Sequence, residues 1–161
     1  MSTDEQDNRE SLEKFFPKLR SEAYQVTSPV DPRYNCAAFA AGDHSRWWGM
    51  PFGNPKYFWP PGVSNDETVE DWMKAFRMLN FEPCDSTEPE PGCDKIAIYG
   101  VNRNDATHVA IQMDGTQWMS KLGEMNDIAH LSPQTLECDE SHTHVDCYGT
   151  VHVIMRRRRS K

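Results

Sequence analysis

No stretch of this chain approaches the roughly 18 consecutive apolar residues that a membrane-spanning helix requires, so a helical membrane protein is not expected. The opening Met1-Ser2-Thr3-Asp4-Glu5-Gln6-Asp7 is acidic and polar. It has neither the basic start nor the apolar centre of a secretory leader, and the expected location is the cytoplasm. Cysteine is sparse and odd in number, at five, so complete disulfide pairing is excluded and free thiols are expected. Positive charge is also scarce. Seventeen Lys and Arg face 25 Asp and Glu, and the net charge of −8 argues against a broad nucleic-acid surface. No internal repeat is visible.

Aromatic residues are well represented. Five tryptophans, five tyrosines and seven phenylalanines in 161 residues are enough to build one core. The expected organisation is a polar arm with a helix over 1–20, one domain over 21–155, and a basic tail over 156–161. That tail, Arg156 to Arg159 with Lys161, is read as solvated or as the charged end of a last strand. It is the one place where nucleic acid or anionic lipid is considered.

Cys36 is the residue around which the chain is read. Asp31-Pro32-Arg33 favours turn or extended backbone. Ala37, Ala38, Ala40 and Ala41 then favour a helix that Gly42 stops. A thiol in the first turn of such a helix meets free N–H groups and is expected to ionise more easily than a free cysteine. The plainer alternative is a small buried hydrophobe.

Residues 1–8 are expected to be disordered, 9–20 helical with Leu12, Phe15, Phe16 and Leu19 on one face, and 21–35 a loop. Residues 47–61 are irregular and aromatic, read either as a binding loop, with Trp47, Trp48, Tyr57 and Trp59 touching substrate, or as a seal over the core. A helix is expected over 65–80. Ser64 to Glu67 forms its capping box, and Val69, Trp72, Met73, Phe76 and Leu79 line its buried face. Strands follow at about 81–84, 95–99, ended by Gly100, at 107–113, 116–121, 127–131 and 148–155. Asp114-Gly115 reads as a two-residue hairpin turn. Helices before an antiparallel sheet make the class α+β.

A cysteine nucleophile needs a base and a group to orient that base. His108, at the start of a strand, is the candidate base. With a two-residue turn at Asp114-Gly115, residue 108 falls opposite Lys121 with Ser120 beside it, and a bulge or longer turn brings Ser120 into register. Ser120, Asp127 and His130 are the candidates for the orienting role. Asn35 and the Cys36 N–H are candidates for holding an oxyanion.

The stretches Tyr34-Asn35-Cys36-Ala37-Ala38-Phe39-Ala40, Thr107-His108-Val109-Ala110 and Trp118-Met119-Ser120-Lys121-Leu122-Gly123 resemble the papain-like cysteine hydrolase clan. The likeness is to its small bacterial peptidase and amidase members, and to an uncharacterised bacterial domain family of the same layout. The resemblance spans about residues 30–156. It implies a papain-like fold, a Cys36–His108 pair, no cofactor, and a peptide or other amide-containing substrate. Ser120 stands where relatives carry His, Asn, Gln or Asp.

Two other readings are open. Cys138, His142, His144 and Cys147 have ligand chemistry suited to zinc, although their spacing follows no common zinc pattern. Alternatively, the domain is a non-catalytic papain-like module that grips a partner with its aromatic loop.

Overall fold

The computed structural model describes residues 3–49, 57–114, 116–122, 125–137 and 148–159, with side chains from residue 9 onward. The first helix, α1 (Thr3–Phe15), begins within the segment expected to be disordered. It ends where Pro17, lacking an N–H, starts a 3-10 turn over Pro17–Arg20. Leu12, Phe16 and Leu19 are buried. Residues 21–35 are not all loop: β1 (Tyr24–Val26) pairs with a distant strand, which local pattern does not reveal.

Two further helices follow, α2 (Cys36–Ala41) and α3 (Val69–Arg77). Between them, β2 (Trp47–Trp48) and β3 (Tyr57–Phe58) form a small parallel pair. The expected 65–80 helix is shorter because its cap lies four residues later than Ser64. Thr68 accepts a hydrogen bond from the Asp71 N–H, while Ser64 bonds Asp66 and Glu67 sits at φ +57°. Val69, Trp72, Met73 and Phe76 are buried as expected.

The remaining strands are β4 (Glu82–Cys84), β5 (Cys93–Asn102), β6 (Asp105–Gln112), β7 (Trp118–Lys121), β8 (Asp127–His130) and β9 (Thr150–Arg158). With β1 they form a seven-stranded sheet in the order β1-β8-β7-β6-β5-β9-β4, antiparallel at every pair. The class is α+β.

Two expectations about strand ends are corrected. Gly100 does not stop β5, which runs on through a bulge to Asn102. Of the two readings of the basic run, the solvated tail is overturned and the charged end of a last strand holds for Arg156, Arg157 and Arg158. They belong to β9 and face Lys95, Asp94 and Cys93 of β5. Asp94, almost fully buried, accepts from Arg157 at 2.8 Å and Arg159 at 2.7 Å.

The sheet carries apolar residues on both faces. On one, Ile96, Ile98, Val109 and Ile111 pack against α2, α3 and Trp48. On the other, Ala97, Tyr99, Ala110, Trp118 and Ile128 pack against Leu12, Phe16, Leu19 and Leu136. Among the described residues, no helix is long and apolar enough to cross a membrane.

Candidate functional site

Asn35 sets the start of α2. Its Oδ1 accepts from the Ala38 N–H at 3.1 Å and the Trp48 N–H at 3.1 Å, and its Nδ2 donates to the Trp48 carbonyl at 2.8 Å. The side chain is thus engaged in capping the helix and anchoring β2, a cap worth about 1 kcal/mol. These bonds occupy the side-chain groups expected to hold an oxyanion.

Cys36, the first helical residue, is a half-buried free thiol. The expectation of easy ionisation is corrected here. Burial pushes the thiol's pKa up, and this outweighs the N–H groups of Val109, Ala37 and Cys36 itself and the charge of Lys121, which all favour the anion. The N–H of Val109 faces the sulfur beyond the point where the β6–β7 ladder stops, at Ile111–Met119.

His108, one residue earlier on β6, turns to the other face of the sheet. It is 2 % exposed. Its Nε2 lies 2.9 Å from Ser120 Oγ, and the same oxygen lies 2.9 Å from His130 Nε2. The His130 Nδ1 lies 2.8 Å from the Ser132 carbonyl. Register explains this alignment. Gln112 faces Trp118 and Ile111 faces Met119, so the β6–β7 connection is five residues, 113–117, and not a two-residue turn. The longer connection puts His108 and Ser120 on one face as diagonal neighbours. On β8, Ile128 faces Ser120 and His130 faces Trp118, which brings His130 to the same face.

The Nδ1 of His108 is buried and has no hydrogen-bond partner among the described residues. Cys36 and His108 are therefore not hydrogen-bonded to each other, although both adjoin Tyr148. The Tyr148 ring lies flat on the His108 ring, with centroids 4.0 Å apart and planes within 2°. Its phenol pKa is raised, by burial first and then by the nearby Cys36. Burial likewise drives the pKa of His108 well below the usual value, helped by His130. His130 is lowered to about 4 by burial, against the opposing pull of the Ser132 carbonyl. At neutral pH both imidazoles and the thiol are uncharged.

Asp127 does not join this group. It faces Lys121 across β7–β8, and its Oδ2 accepts from the Tyr34 hydroxyl at 2.9 Å. Burial, reinforced by Asp127, pushes the Tyr34 phenol up to about 12. The Lys121 ammonium sits 5.1 Å from the Tyr34 ring centre.

The aromatic segment is tied inward. Trp47 Nε1 donates to the Pro32 carbonyl at 2.8 Å and Trp48 Nε1 to Asp43 at 3.0 Å. Trp59 Nε1 is shared between the Val63 and Ser64 carbonyls, both at 3.0 Å. Tyr57 meets Trp47 edge-on at 5.9 Å. Trp48 is buried, and the arrangement fits a seal over the core better than a row of free substrate contacts.

Sequence reasoning missed Tyr148. It precedes β9 and has no local signature there. Among the described residues, no group of three or more His, Cys, Asp or Glu side chains is arranged to hold a metal. Cys138, His142, His144 and Cys147 lie outside the described residues.

No curated protein and no solved structure matches the chain. Residues 25–156 match the domain of unknown function DUF7689, and with most of its length inside that match the chain belongs to this family.

Proposed function

We propose that the domain is a cysteine-dependent hydrolase of papain-like type, with Cys36 as nucleophile and His108 as general base. The observation that carries the reading is the His108 Nδ1, buried without a partner among the described residues, beside the strand position that meets the Cys36 sulfur. A buried nitrogen without a hydrogen bond carries an energetic cost, and such exceptions concentrate at sites with a chemical role. Catalytic hydrogen bonds are often long before substrate arrives.

In this reading the thiol proton passes to His108 Nδ1 as sulfur attacks the acyl carbon of an amide or ester. His108 then returns the proton to the leaving amine or alcohol as the C–N or C–O bond breaks. Water, deprotonated by the same nitrogen, cleaves the thioester and restores the thiol.

The uncharged thiol and its missing bond to His108 favour a second reading, a non-catalytic module of the same fold. Incubation with p-nitrophenyl acetate, read by mass spectrometry, separates the two. The hydrolase reading expects transient acetylation of Cys36 that slows by about 10²–10⁴-fold in His108→Ala. Acetylation of Cys36 no faster than that of Cys84 refutes it.

A further inference from the structure

We propose that His130 is a positioning residue that, through the Ser120 hydroxyl, holds the proton of His108 on Nε2 and keeps Nδ1 bare for Cys36. The proposal rests on the hydrolase reading above.

The Ser132 carbonyl can only accept, so the His130 nitrogen 2.8 Å away, Nδ1, carries the proton. A neutral imidazole has one proton, so His130 Nε2 is an acceptor. Ser120 Oγ, 2.9 Å from that nitrogen, must donate its single hydrogen to it. The hydroxyl then has only lone pairs left for His108 Nε2, also 2.9 Å away, which must be the donor. His108 Nδ1 is left with a lone pair and no partner among the described residues.

A serine alone would not achieve this, because a free hydroxyl donates or accepts equally well. His130 removes that ambiguity. The relay is buried: Ser120 and His130 are fully buried and His108 nearly so. Around it lie Tyr99 edge-on to His108, Tyr148 stacked on it, and Tyr24 and Trp118 as the register partners of His130. A backbone carbonyl two residues past β8 therefore sets which nitrogen of a histidine two strands away is the base.

Nitrogen-15 NMR of the histidine rings tests this without any substitution. The expected wild-type spectrum at pH 7 has His130 protonated at Nδ1 and His108 at Nε2. A proton on His108 Nδ1 overturns the proposal. In His130→Phe the serine hydroxyl loses its acceptor and turns to His108 Nε2, so the His108 proton moves to Nδ1. Acetylation of Cys36 by p-nitrophenyl acetate then falls by about 10²-fold, against about 10⁴ where an orienting carboxylate of a catalytic histidine is lost. Unchanged His108 shifts in a folded His130→Phe protein also overturn it. If His108→Ala acetylates Cys36 as fast as wild type does, the hydrolase reading fails and the positioning role falls with it. If His108→Ala is slow while wild-type His108 carries its proton on Nδ1, only the positioning role fails.

Discussion

Gly149→Ala tests how Tyr148 is held over His108. Gly149 has φ +79°, and a Cβ placed on it lies 2.2 Å from the Gly100 carbonyl oxygen, 2.7 Å from its carbon and 2.9 Å from the Val101 Cα. All three are backbone atoms of β5, so no side chain can swing aside. The left-handed conformation alone costs an alanine about 1–2 kcal/mol. Forcing β5 and β9 apart adds about 1–3 kcal/mol, the usual range for overpacking. The expected loss is about 2–5 kcal/mol. Gly42→Ala is the control: Gly42 has φ +85°, but a Cβ placed on it meets nothing within 4 Å among the described residues. It should lose only the conformational part, about 1–2 kcal/mol. Urea unfolding at pH 7 measures both, and at about 2 kcal/mol per molar the midpoints should fall by about 1–2.5 M and about 0.5–1 M. A second signature follows from position. Displacing Tyr148 opens His108 to water, so its pKa should rise toward the ordinary histidine value. Equal destabilisation by the two substitutions, with His108 unmoved, refutes the close approach as the device that seats Tyr148.

Burial lowers the pKa values of His108 and His130, so the unfolded chain binds protons before the folded one does, and stability falls as pH falls. For His130 the contribution is complete above about pH 6.5 and lost toward about pH 4; at about 1.4 kcal/mol per pH unit it amounts to about 3 kcal/mol. Urea unfolding of wild type and His130→Phe between pH 7 and 4 should show that difference in slope, and parallel curves contradict it. Iodoacetamide should label Cys36 with a midpoint above that of free cysteine, since burial disfavours its thiolate. Rapid labelling near pH 6 shows the opposite electrostatics. Asn35→Ala removes the helix cap and two bonds to Trp48, and should cost about 2–3 kcal/mol by thermal or urea unfolding. A change under about 0.5 kcal/mol shows that Asn35 does not tie β2 to α2.

Local signals account for most elements of the fold. The alanine run and Gly42 bound α2, and the helical spacing of Val69, Trp72, Met73 and Phe76 identifies the buried face of α3. The cap of α3 is ambiguous in sequence because Ser64 and Thr68 are both chemically fit to cap, and the choice falls to the backbone, where Glu67 leaves the helical region and the Thr68 hydroxyl accepts from the Asp71 N–H. β1, and the choice between solvated tail and strand end for the arginines of β9, are illegible for another reason. A three-residue strand and a run of charges acquire their state from partners far away, β8 for one and Asp94 for the other. The candidate base and its two polar neighbours are readable as residue types. Their alignment is not, because it depends on the length of a connection that Asp114-Gly115 makes look shorter than it is. The thiol's electrostatics mislead for a similar reason. A helix terminus is a sequence feature, whereas the burial that outweighs it belongs to the assembled domain.

The five-residue connection between β6 and β7 has a consequence for how such a chain can change over time. Side chains alternate along a strand, so the connection works as a parity switch. Adding or removing one residue there would send Ser120 and Lys121 through an exchange of faces, taking the hydroxyl from His108 and pressing an ammonium into the apolar layer that Trp118 would vacate. Two residues would leave the faces as they are. Length variation at this hairpin should therefore come in even steps among sequences that keep His108 and Ser120 together, and an odd step should coincide with a compensating bulge or with loss of one of the pair.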